Sequence, residues 1–272
     1  MKNRLKFGEH VLDLSLPVVM GIVNITPDSF YGGSRSTFLP DILERVKVLL
    51  TDGASIIDLG AYSSRPGAMD VSVAEEMDRI VPVIRALRKE FPEAILSVDT
   101  FRSAVAQAVL DEGVDMINDI SACTIDPQLA EVVAAFRVPY VLMHMRGTVQ
   151  TMQENTDYTD LVGEMLGFFE AKIIELQAAG IEQIIIDPGF GFSKTIEQNH
   201  ALLQSIDRFQ DLEKPILLGV SRKSMIYRKL GITPEEALHG TIALQAIGLS
   251  KGASILRTHD VAAARQTIEL LY

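Results

Sequence analysis

The stretch Val18-Val19-Met20-Gly21-Ile22-Val23-Asn24 is a nearly unbroken apolar run that ends in a side-chain amide. Such a run, rich in β-branched residues, predicts a strand that is buried on both faces. Thr26-Pro27-Asp28-Ser29 follows shortly after it and predicts a turn. An apolar strand that delivers a polar side chain at its carboxyl end is the building unit of an α/β enzyme site.

This unit recurs along the whole chain. The predicted strands cover residues 17–24, 55–60, 94–98, 115–117, 139–145, 183–186, 215–220 and 254–256. Helical periodicity with start and stop signals predicts helices between them, at about 41–50, 73–90, 103–111, 126–136, 159–179, 195–206 and 234–250. A last helix closes the chain.

Eight strands that alternate with helices, without a linker, predict an α/β fold. We expect one domain over residues 1–272, a single (β/α)8 TIM barrel preceded by a short N-terminal β-hairpin at residues 5–16. A doubly wound sheet is the competing fold. It would show a glycine-rich dinucleotide turn or a change of pattern midway, and the sequence has neither.

The composition narrows the class of protein. Apolar residues make up 47% of the 272 residues, which is enough for a sizeable core. The net charge of −11 argues against nucleic acid as the main partner, although it permits small anionic ligands. The sequence contains no apolar run of about 18 residues and no signal-peptide core, so we expect no membrane span. Cys123 is the single cysteine, which fits a reducing cytoplasm.

The polar residues at the predicted strand ends are of two chemical kinds. Acceptors or amides stand at Asp99, Asn118 and Asp187. They suit a flat heterocycle whose edge offers several N–H donors. Donors or cations stand at Arg257, His259, Arg65 and Lys223. They suit a phosphate or carboxylate. Because strand ends of a barrel meet at one mouth, we predict an acidic floor and a basic rim that bind one substrate with a polar ring and a phosphate.

Oxygen ligands stand at Asn24, Ser64 and Ser221, and no His/Cys cluster has zinc spacing. The metal that these residues support is Mg2+, held mainly by substrate phosphates.

Two catalytic schemes are possible from these residues but are disfavoured, and three further polar residues have a structural interpretation. A Ser–His–Asp arrangement from Ser221, His259 and Asp187 is disfavoured because nothing resembles a nucleophile elbow. A binding role for Lys223 is favoured over a Schiff base. Three further polar residues are expected at least equally well as caps or turn residues, namely Asp58, Asp119 and His144.

Together these residues resemble the dihydropteroate synthase family over almost the whole chain. The motifs that carry the resemblance are Met20–Phe30, Ser63–Gly67, Ser97–Thr100, Asp187–Phe192 and Ser221–Ser224, with support from Ile117–Ile120, Leu142–Met145 and Arg257–Asp260. The resemblance implies a transferase of folate biosynthesis, a sulfonamide target that joins 6-hydroxymethyl-7,8-dihydropterin pyrophosphate to 4-aminobenzoate and releases pyrophosphate. It also implies a homodimer formed through late helices, with apolar surface from Ile242, Leu244, Ile247 and Leu249; packing of these side chains on the barrel is the alternative.

The resemblance also leads us to expect roles for individual residues. The pterin ring is expected at Asp99, Asn118, Met143, Asp187 and Lys223. The pyrophosphate is expected at Asn24, Ser64, Arg257 and His259, with Asn24 as the protein ligand of Mg2+. The 4-aminobenzoate is expected at Arg65, Pro66, Phe192, Ser221 and Lys223. The residues expected to carry catalysis are Asp99, Asp187, Lys223, Arg257 and His259.

Two loops depart from the family pattern. Tyr62 stands where many relatives have an acid, Ser64 where they have threonine, and Gly32 lies in a loop that lacks a usual aspartate. These departures motivate one alternative, a pterin-binding paralogue without turnover, although the retained Asn24, Arg257 and His259 count against it. The second alternative is a pterin barrel that transfers methyl groups from folate to a corrinoid protein. The phosphate-binding residues at Arg257 and His259 argue against the second alternative.

Overall fold

The computed structural model describes residues 3–25, 35–62 and 71–272. Its strands are β1 (Arg4–Phe7), β2 (His10–Asp13), β3 (Val18–Asn24), β4 (Ile56–Gly60), β5 (Leu96–Asp99), β6 (Met116–Asp119), β7 (Tyr140–Met143), β8 (Ile184–Asp187), β9 (Leu217–Leu218) and β10 (Ile255–Thr258). Its α-helices are α1 (Arg35–Thr51), α2 (Val73–Glu90), α3 (Ser103–Asp111), α4 (Gln128–Phe136), α5 (Leu161–Ala178), α6 (Ile196–Gln204), α7 (Ser224–Leu230), α8 (Leu238–Ser250) and α9 (Val261–Leu271).

The eight strands β3 to β10 form one parallel sheet in chain order, with β10 paired to β3. A single bridge between Ile186 and Ile216 joins the two remaining edges. The sheet therefore closes into the predicted TIM barrel. The strand order has no reversal, and a reversal is the defining feature of the doubly wound alternative.

Two layers of apolar side chains hold the barrel together. One face of each strand packs against the surrounding helices, with Leu59, Leu142 and Leu256 among its buried residues. The other face fills the barrel interior, where Met20 and Ile185 belong to a separate buried cluster. Because both faces are buried, the strands show continuous apolar runs in the sequence.

The predicted N-terminal hairpin is confirmed as β1 and β2, which pair antiparallel around Gly8. Gly8 has a φ of +58°, a conformation that glycine adopts without a steric penalty. Leu5, Phe7 and Leu14 pack against the interior cluster of the barrel. The hairpin thus closes the barrel at the end opposite the carboxyl ends of the strands.

The structure differs from the prediction in two elements near residue 220. The strand predicted at 215–220 is shortened to Leu217–Leu218, and the helix α7 at Ser224–Leu230 follows it without having been predicted. The backbone turns here because Arg222 adopts a left-handed φ of 52°. No helix among the described residues has the length and apolarity needed to cross a membrane.

Candidate active site

The alternation of side chains along each strand determines which polar residues reach the barrel interior. The interior cluster includes Ile56, Met116, Ile185 and Ile255. Two positions further along, the same strands carry Asp58, Asn118, Asp187 and Arg257. These side chains share the inward phase of the core residues below them, one layer closer to the carboxyl ends of the strands. The predicted residues Asn118, Asp187 and Arg257 therefore meet at one mouth.

Arg257 lies between two carboxylates. Its Nε donates to Asp58 Oδ2 at 2.6 Å, and its Nη2 donates to Asp99 Oδ2 at 2.9 Å. Asp58 is fully buried and also accepts from Asn118 Nδ2 at 3.0 Å and from Ser97 Oγ at 2.6 Å. Burial raises the pKa of Asp99 to about 7, although the nearby Arg257 opposes the shift. The predicted separation into an acidic floor and a basic rim is wrong at this point, because cation and acids form one hydrogen-bonded network.

Asp187 and Lys223 form a second charged group, on either side of Gly219. A Cβ at position 219 would lie 3.6 Å from Lys223 Nζ and 3.7 Å from Asp187 Oδ2. Asp187 Oδ1 accepts from Gly189 N at 2.7 Å, and Lys223 Nζ donates to Phe190 O. Burial lowers the pKa of Lys223 to about 8, with Asp187 opposing the shift. Burial also raises the pKa of Asp187, against the opposing charge of Lys223.

The end of β10 is held next to the end of β9. Ser221 Oγ lies 3.0 Å from His259 Nδ1 and accepts from His259 N at 3.2 Å. Arg45 Nη2 donates to His259 O at 2.7 Å from the neighbouring helix α1. Arg222 Nε and Nη2 donate to the two carboxylate oxygens of Asp260, both at 2.8 Å. The backbone around His259 is thus fixed. Asp187, the carboxylate of the disfavoured Ser–His–Asp arrangement, lies beside Lys223.

An apolar wall completes the described part of the mouth. Met143 is buried with Phe101, Ile120 and Val149, and Tyr62, Met145 and Phe192 pack against this cluster. Tyr62 meets Phe101 edge to face, with ring centroids 5.1 Å apart. Lys223 Nζ lies 4.9 Å from the centroid of the Phe192 ring. Tyr62 therefore adds an aromatic ring to the wall.

Asp119 follows the inward-facing Asn118 by one position, so it lies on the outer face of the strand, and it has a structural role. Its carboxylate accepts from Ser121 N and Cys123 N, both at 2.6 Å, and from the Tyr140 hydroxyl at 2.7 Å. Ala122 and Cys123 adopt left-handed φ values of 54° and 57°. Asp119 therefore stabilises the turn after β6, as the plainer interpretation held.

His144 is also out of phase, and it contacts a residue that the sequence reasoning missed. Its ring is buried against Phe168, at a centroid distance of 4.9 Å, and burial lowers its pKa to about 2. Lys194, only 3% exposed, places Nζ 3.2 Å from His144 Nδ1. Burial lowers the pKa of Lys194 to about 7. No local pattern marks Lys194, because it lies in a loop and only the fold buries it.

Asp58 is the other residue whose function the sequence reasoning missed. The alternation of side chains along β4 would have identified it, because Asp58 follows the interior residue Ile56 by two positions and therefore points to the same side.

The strand end of β3 carries Asn24, whose side chain has no hydrogen bond within the described part of the chain. The predicted Ser64, Arg65 and Pro66, and the Gly32 loop, lie outside the described residues.

The arrangement suits a ligand with three different parts. Asp99, Asn118 and Asp187 offer acceptors deep in the mouth, and the apolar wall offers a surface for a flat ring. Arg257, Lys223 and His259 offer positive charge or N–H donors for an anionic group. Among the described residues, no three His, Cys, Asp or Glu side chains come together as a metal cluster.

Comparisons with known proteins agree with this geometry. A family model described as pterin binding enzyme matches residues 20–259. The dihydropteroate synthase of Synechocystis sp. is 46% identical over 251 residues, which are 91% of this chain and 86% of the relative. A crystal structure of the Yersinia pestis dihydropteroate synthase with a sulfonamide drug complex has a TM-score of 0.92 at 39% identity, covering 98% of both chains. A Xanthomonas albilineans dihydropteroate synthase with 4-aminobenzoic acid also has a TM-score of 0.92 at 39% identity, covering 100% of this chain and 97% of that one.

The family match includes every strand end that contributes to the mouth, from Asn24 to His259. The relatives align along nearly the whole length of the chain, and the fold agrees with theirs. The chain therefore belongs to the pterin binding enzyme family and, within it, to the dihydropteroate synthases.

Proposed function

We propose that the chain is a transferase that condenses 6-hydroxymethyl-7,8-dihydropterin pyrophosphate with 4-aminobenzoate, giving 7,8-dihydropteroate and pyrophosphate in folate biosynthesis. The observation that carries the proposal is the meeting of Asp99, Asn118 and Asp187 with Lys223 and Arg257 at one mouth. The relatives support it, since a sulfonamide drug and 4-aminobenzoic acid are bound in two of the solved structures. Sulfonamides are accordingly expected to compete with 4-aminobenzoate.

The pterin binds deepest in the proposed site. Asp99, Asn118 and Asp187 accept or exchange hydrogen bonds with the ring edge, and Lys223 adds a donor. Met143 lies in the apolar wall, which suits the face of the ring. The buried carboxylates also favour the positive charge that develops on the pterin methylene carbon as its C–O bond breaks.

The pyrophosphate leaves toward the end of β10. Arg257 and His259 stabilise its growing negative charge, and Ser64 is expected to donate a hydrogen bond to it. Asn24 fits a magnesium site here, because its amide is an oxygen ligand without a partner in the described residues and Mg2+ takes few protein ligands when phosphates supply the rest. When bound, Mg2+ supplies further positive charge to the leaving group.

The nucleophile is the amine of 4-aminobenzoate, and it needs positioning more than a strong base. We assign its pocket to Ser221, Phe192 and Lys223, together with Arg65 and Pro66, which lie outside the described residues. Ser221 is held by His259 and Thr258, and the Phe192 ring lies under the Lys223 ammonium group. These fixed contacts orient the arylamine for attack on the methylene carbon.

The test is pyrophosphate release from the purified protein, with dihydropterin pyrophosphate, 4-aminobenzoate and Mg2+. We expect release that requires 4-aminobenzoate, that falls when the metal is chelated, and that Asp187→Asn reduces by roughly 100-fold or more. The exposed variant Lys47→Met serves as a control, since that side chain is 64% exposed and lies outside the site.

Other outcomes separate the alternative functions. Tight pterin binding without release identifies a paralogue that has lost turnover, which the Tyr62 and Gly32 departures motivate. Methyl transfer from a methylated folate to a corrinoid protein, without pyrophosphate release, identifies the methyltransferase. No pterin binding contradicts the assignment of Asp99, Asn118 and Asp187.

We further propose a homodimer formed through the late helices. Leu230 at the end of α7 is 60% exposed and lies against Gly240 of α8, so the two helices share an apolar surface. Ile242 is partly exposed on α8, whereas Leu244 and Ile247 pack partly on the barrel core. Leu249 is 1% exposed and therefore packs on the barrel, as the alternative held.

We also propose that the chain is one domain and acts in the cytoplasm. Cys123 is the single cysteine, so no disulfide can form within the chain, which fits a reducing compartment. Fractionation of the native cells tests the location: recovery of the protein with membranes or outside the cell contradicts it. Limited proteolysis that releases two stable fragments contradicts the single domain.

A further inference from the structure

The described part of the chain contains a buried cation that the proposed reaction does not use. Lys194 follows the Asp187–Phe192 motif and is 3% exposed. Its Nζ lies 3.1 Å from Gly189 O, 3.0 Å from Phe192 O and 3.2 Å from His144 Nδ1. A lysine ammonium group has three donors and no acceptor, so these three acceptors satisfy it completely. When Lys194 is protonated, His144 accepts at Nδ1 and carries its proton on Nε2.

Burial of a lysine is costly because its charge is removed from water, and hydrogen bonds to the ammonium group offset part of that cost. The two carbonyls belong to opposite ends of one loop, the segment Gly189–Phe192. The ammonium group therefore joins the start of the loop to its end. It also ties both ends to His144, which is itself fixed between Phe168 and the end of β7.

Other contacts hold the same loop from its sides. Asn199 Oδ1 accepts from Gly191 N at 2.7 Å, and Ser193 Oγ bonds both the N and the O of Arg146 at 2.8 Å. Gly189 has a φ of +69°, and a Cβ there would lie 2.2 Å from His144 O. The backbone is thus packed so closely that glycine is required at position 189, and Lys194 bonds both ends of the loop.

The loop also contacts Lys223, one of the groups that we assign to 4-aminobenzoate. Phe190 O accepts from Lys223 Nζ, and a Cβ at Gly191 would lie 3.3 Å from Lys223 Cδ. The Phe192 ring lies beneath the same ammonium group. A shift of the loop would therefore move Phe192 and Lys223 together, while Asp187 stays held by the β7–β8 pairing.

We propose that Lys194 is a positioning residue for the 4-aminobenzoate half of the site, in which its three hydrogen bonds fix the loop that carries Phe192 and supports Lys223. The inference rests on the proposed function, because it names the second substrate of that reaction. Lys194 itself contacts neither substrate.

The test is a steady-state comparison of Lys194→Met with the wild type. Methionine retains most of the length of the side chain and removes the three donors. We expect the KM for 4-aminobenzoate to rise by about tenfold or more and kcat to fall, because small misplacements of reacting groups are costly. The dissociation constant of dihydropterin pyrophosphate, measured separately at equilibrium, is expected to stay near the wild-type value.

Leu5→Ala is the matched control, since it lowers stability at the opposite end of the barrel. If loss of stability alone changed the kinetics, both variants would show similar changes in the KM for 4-aminobenzoate and in the dissociation constant of dihydropterin pyrophosphate. If Lys194→Met does not fold, Lys194→Gln replaces it, because glutamine retains an N–H donor and polarity. The same selective rise in the 4-aminobenzoate KM is then expected.

Two results overturn the inference. One is a Lys194 variant with the wild-type KM for 4-aminobenzoate. The other is a variant whose affinity for both substrates falls equally, in proportion to its loss of stability. A wild-type protein that releases no pyrophosphate contradicts the proposed function instead, so the two failures are distinguishable.

Discussion

Asp58 shows how one buried residue connects two halves of a binding site. Its carboxylate is fully buried on β4 and accepts hydrogen bonds from Arg257, Asn118 and Ser97. Arg257 is assigned to the leaving group and Asn118 to the pterin, so Asp58 orients a residue for each. Such hydrogen bonds fix the rotamer of a binding side chain before the ligand arrives.

We predict that Asp58→Asn weakens dihydropterin pyrophosphate binding by roughly tenfold or more and lowers the free energy of unfolding by about 3 kcal/mol. The amide removes the negative charge opposite Arg257 and turns one acceptor into a donor that faces other donors. Equilibrium binding and urea unfolding measure the two effects.

Asp126→Asn is the matched control for this prediction. Asp126 accepts from the backbone nitrogens of Ser103 and Gln128, so it stabilises the starts of α3 and α4 and not the hydrogen-bonded network of Asp58 and Arg257. We expect this variant to lose stability and retain pterin affinity. An Asp58→Asn protein that binds the pterin like the wild type would contradict the positioning role.

At the scale of elements, the two ends of the barrel have separate tasks. The hairpin of β1 and β2 covers one end, where Leu5 and Phe7 are buried against the interior cluster. Gln183 next to β8 ties the hairpin down by bonding both Lys6 N at 2.7 Å and Lys6 O at 3.0 Å. The chemistry lies at the other end, so packing errors at the hairpin reach the site only weakly.

We predict that Leu5→Ala lowers the free energy of unfolding by about 2–4 kcal/mol and leaves kcat and both KM values unchanged. The leucine is 3% exposed, so its truncation leaves a cavity beneath the barrel. Val11→Ala on the same hairpin is the control, because Val11 is 53% exposed and its truncation is expected to change stability little. Kinetic constants that change with Leu5→Ala would show that the two ends are coupled.

At the scale of the whole molecule, the closed barrel brings residues from all parts of the chain into one mouth. Arg257 and Asp58 are separated by 199 positions in the sequence and lie 2.6 Å apart. The outer surface then remains free for association, although a net charge of −11 opposes it at low salt. An apolar surface between copies must outweigh that repulsion.

We predict that the protein sediments as a dimer and that Leu230→Glu converts it to a monomer, because two buried carboxylates would face each other or the apolar partner surface. Ile174→Glu is the control, since Ile174 is 69% exposed on α5 and lies outside the late helices. Sedimentation velocity distinguishes the two species. A wild type that sediments as a monomer at micromolar concentration would disprove the dimer.

The sequence by itself determined the barrel, because alternating apolar strands and helices repeat a local pattern that each segment carries on its own. It also determined the strand-end residues, since polar side chains that end apolar strands stand out in the sequence. Asn118, Asp187 and Arg257 were predicted in this way, and the inward phase that they share would have added Asp58.

Only the tertiary structure decided how these residues combine. The sequence could not show that Arg257 is paired with Asp58 and Asp99 rather than standing apart from the acids, because that contact depends on barrel closure between distant strands. Nothing local marks Lys194, whose three acceptors come from a folded loop and from the residue after β7. Nor did a local pattern predict the early end of β9, where a left-handed Arg222 turns the backbone into α7. Local patterns specify elements, whereas contacts between distant segments require the packed fold.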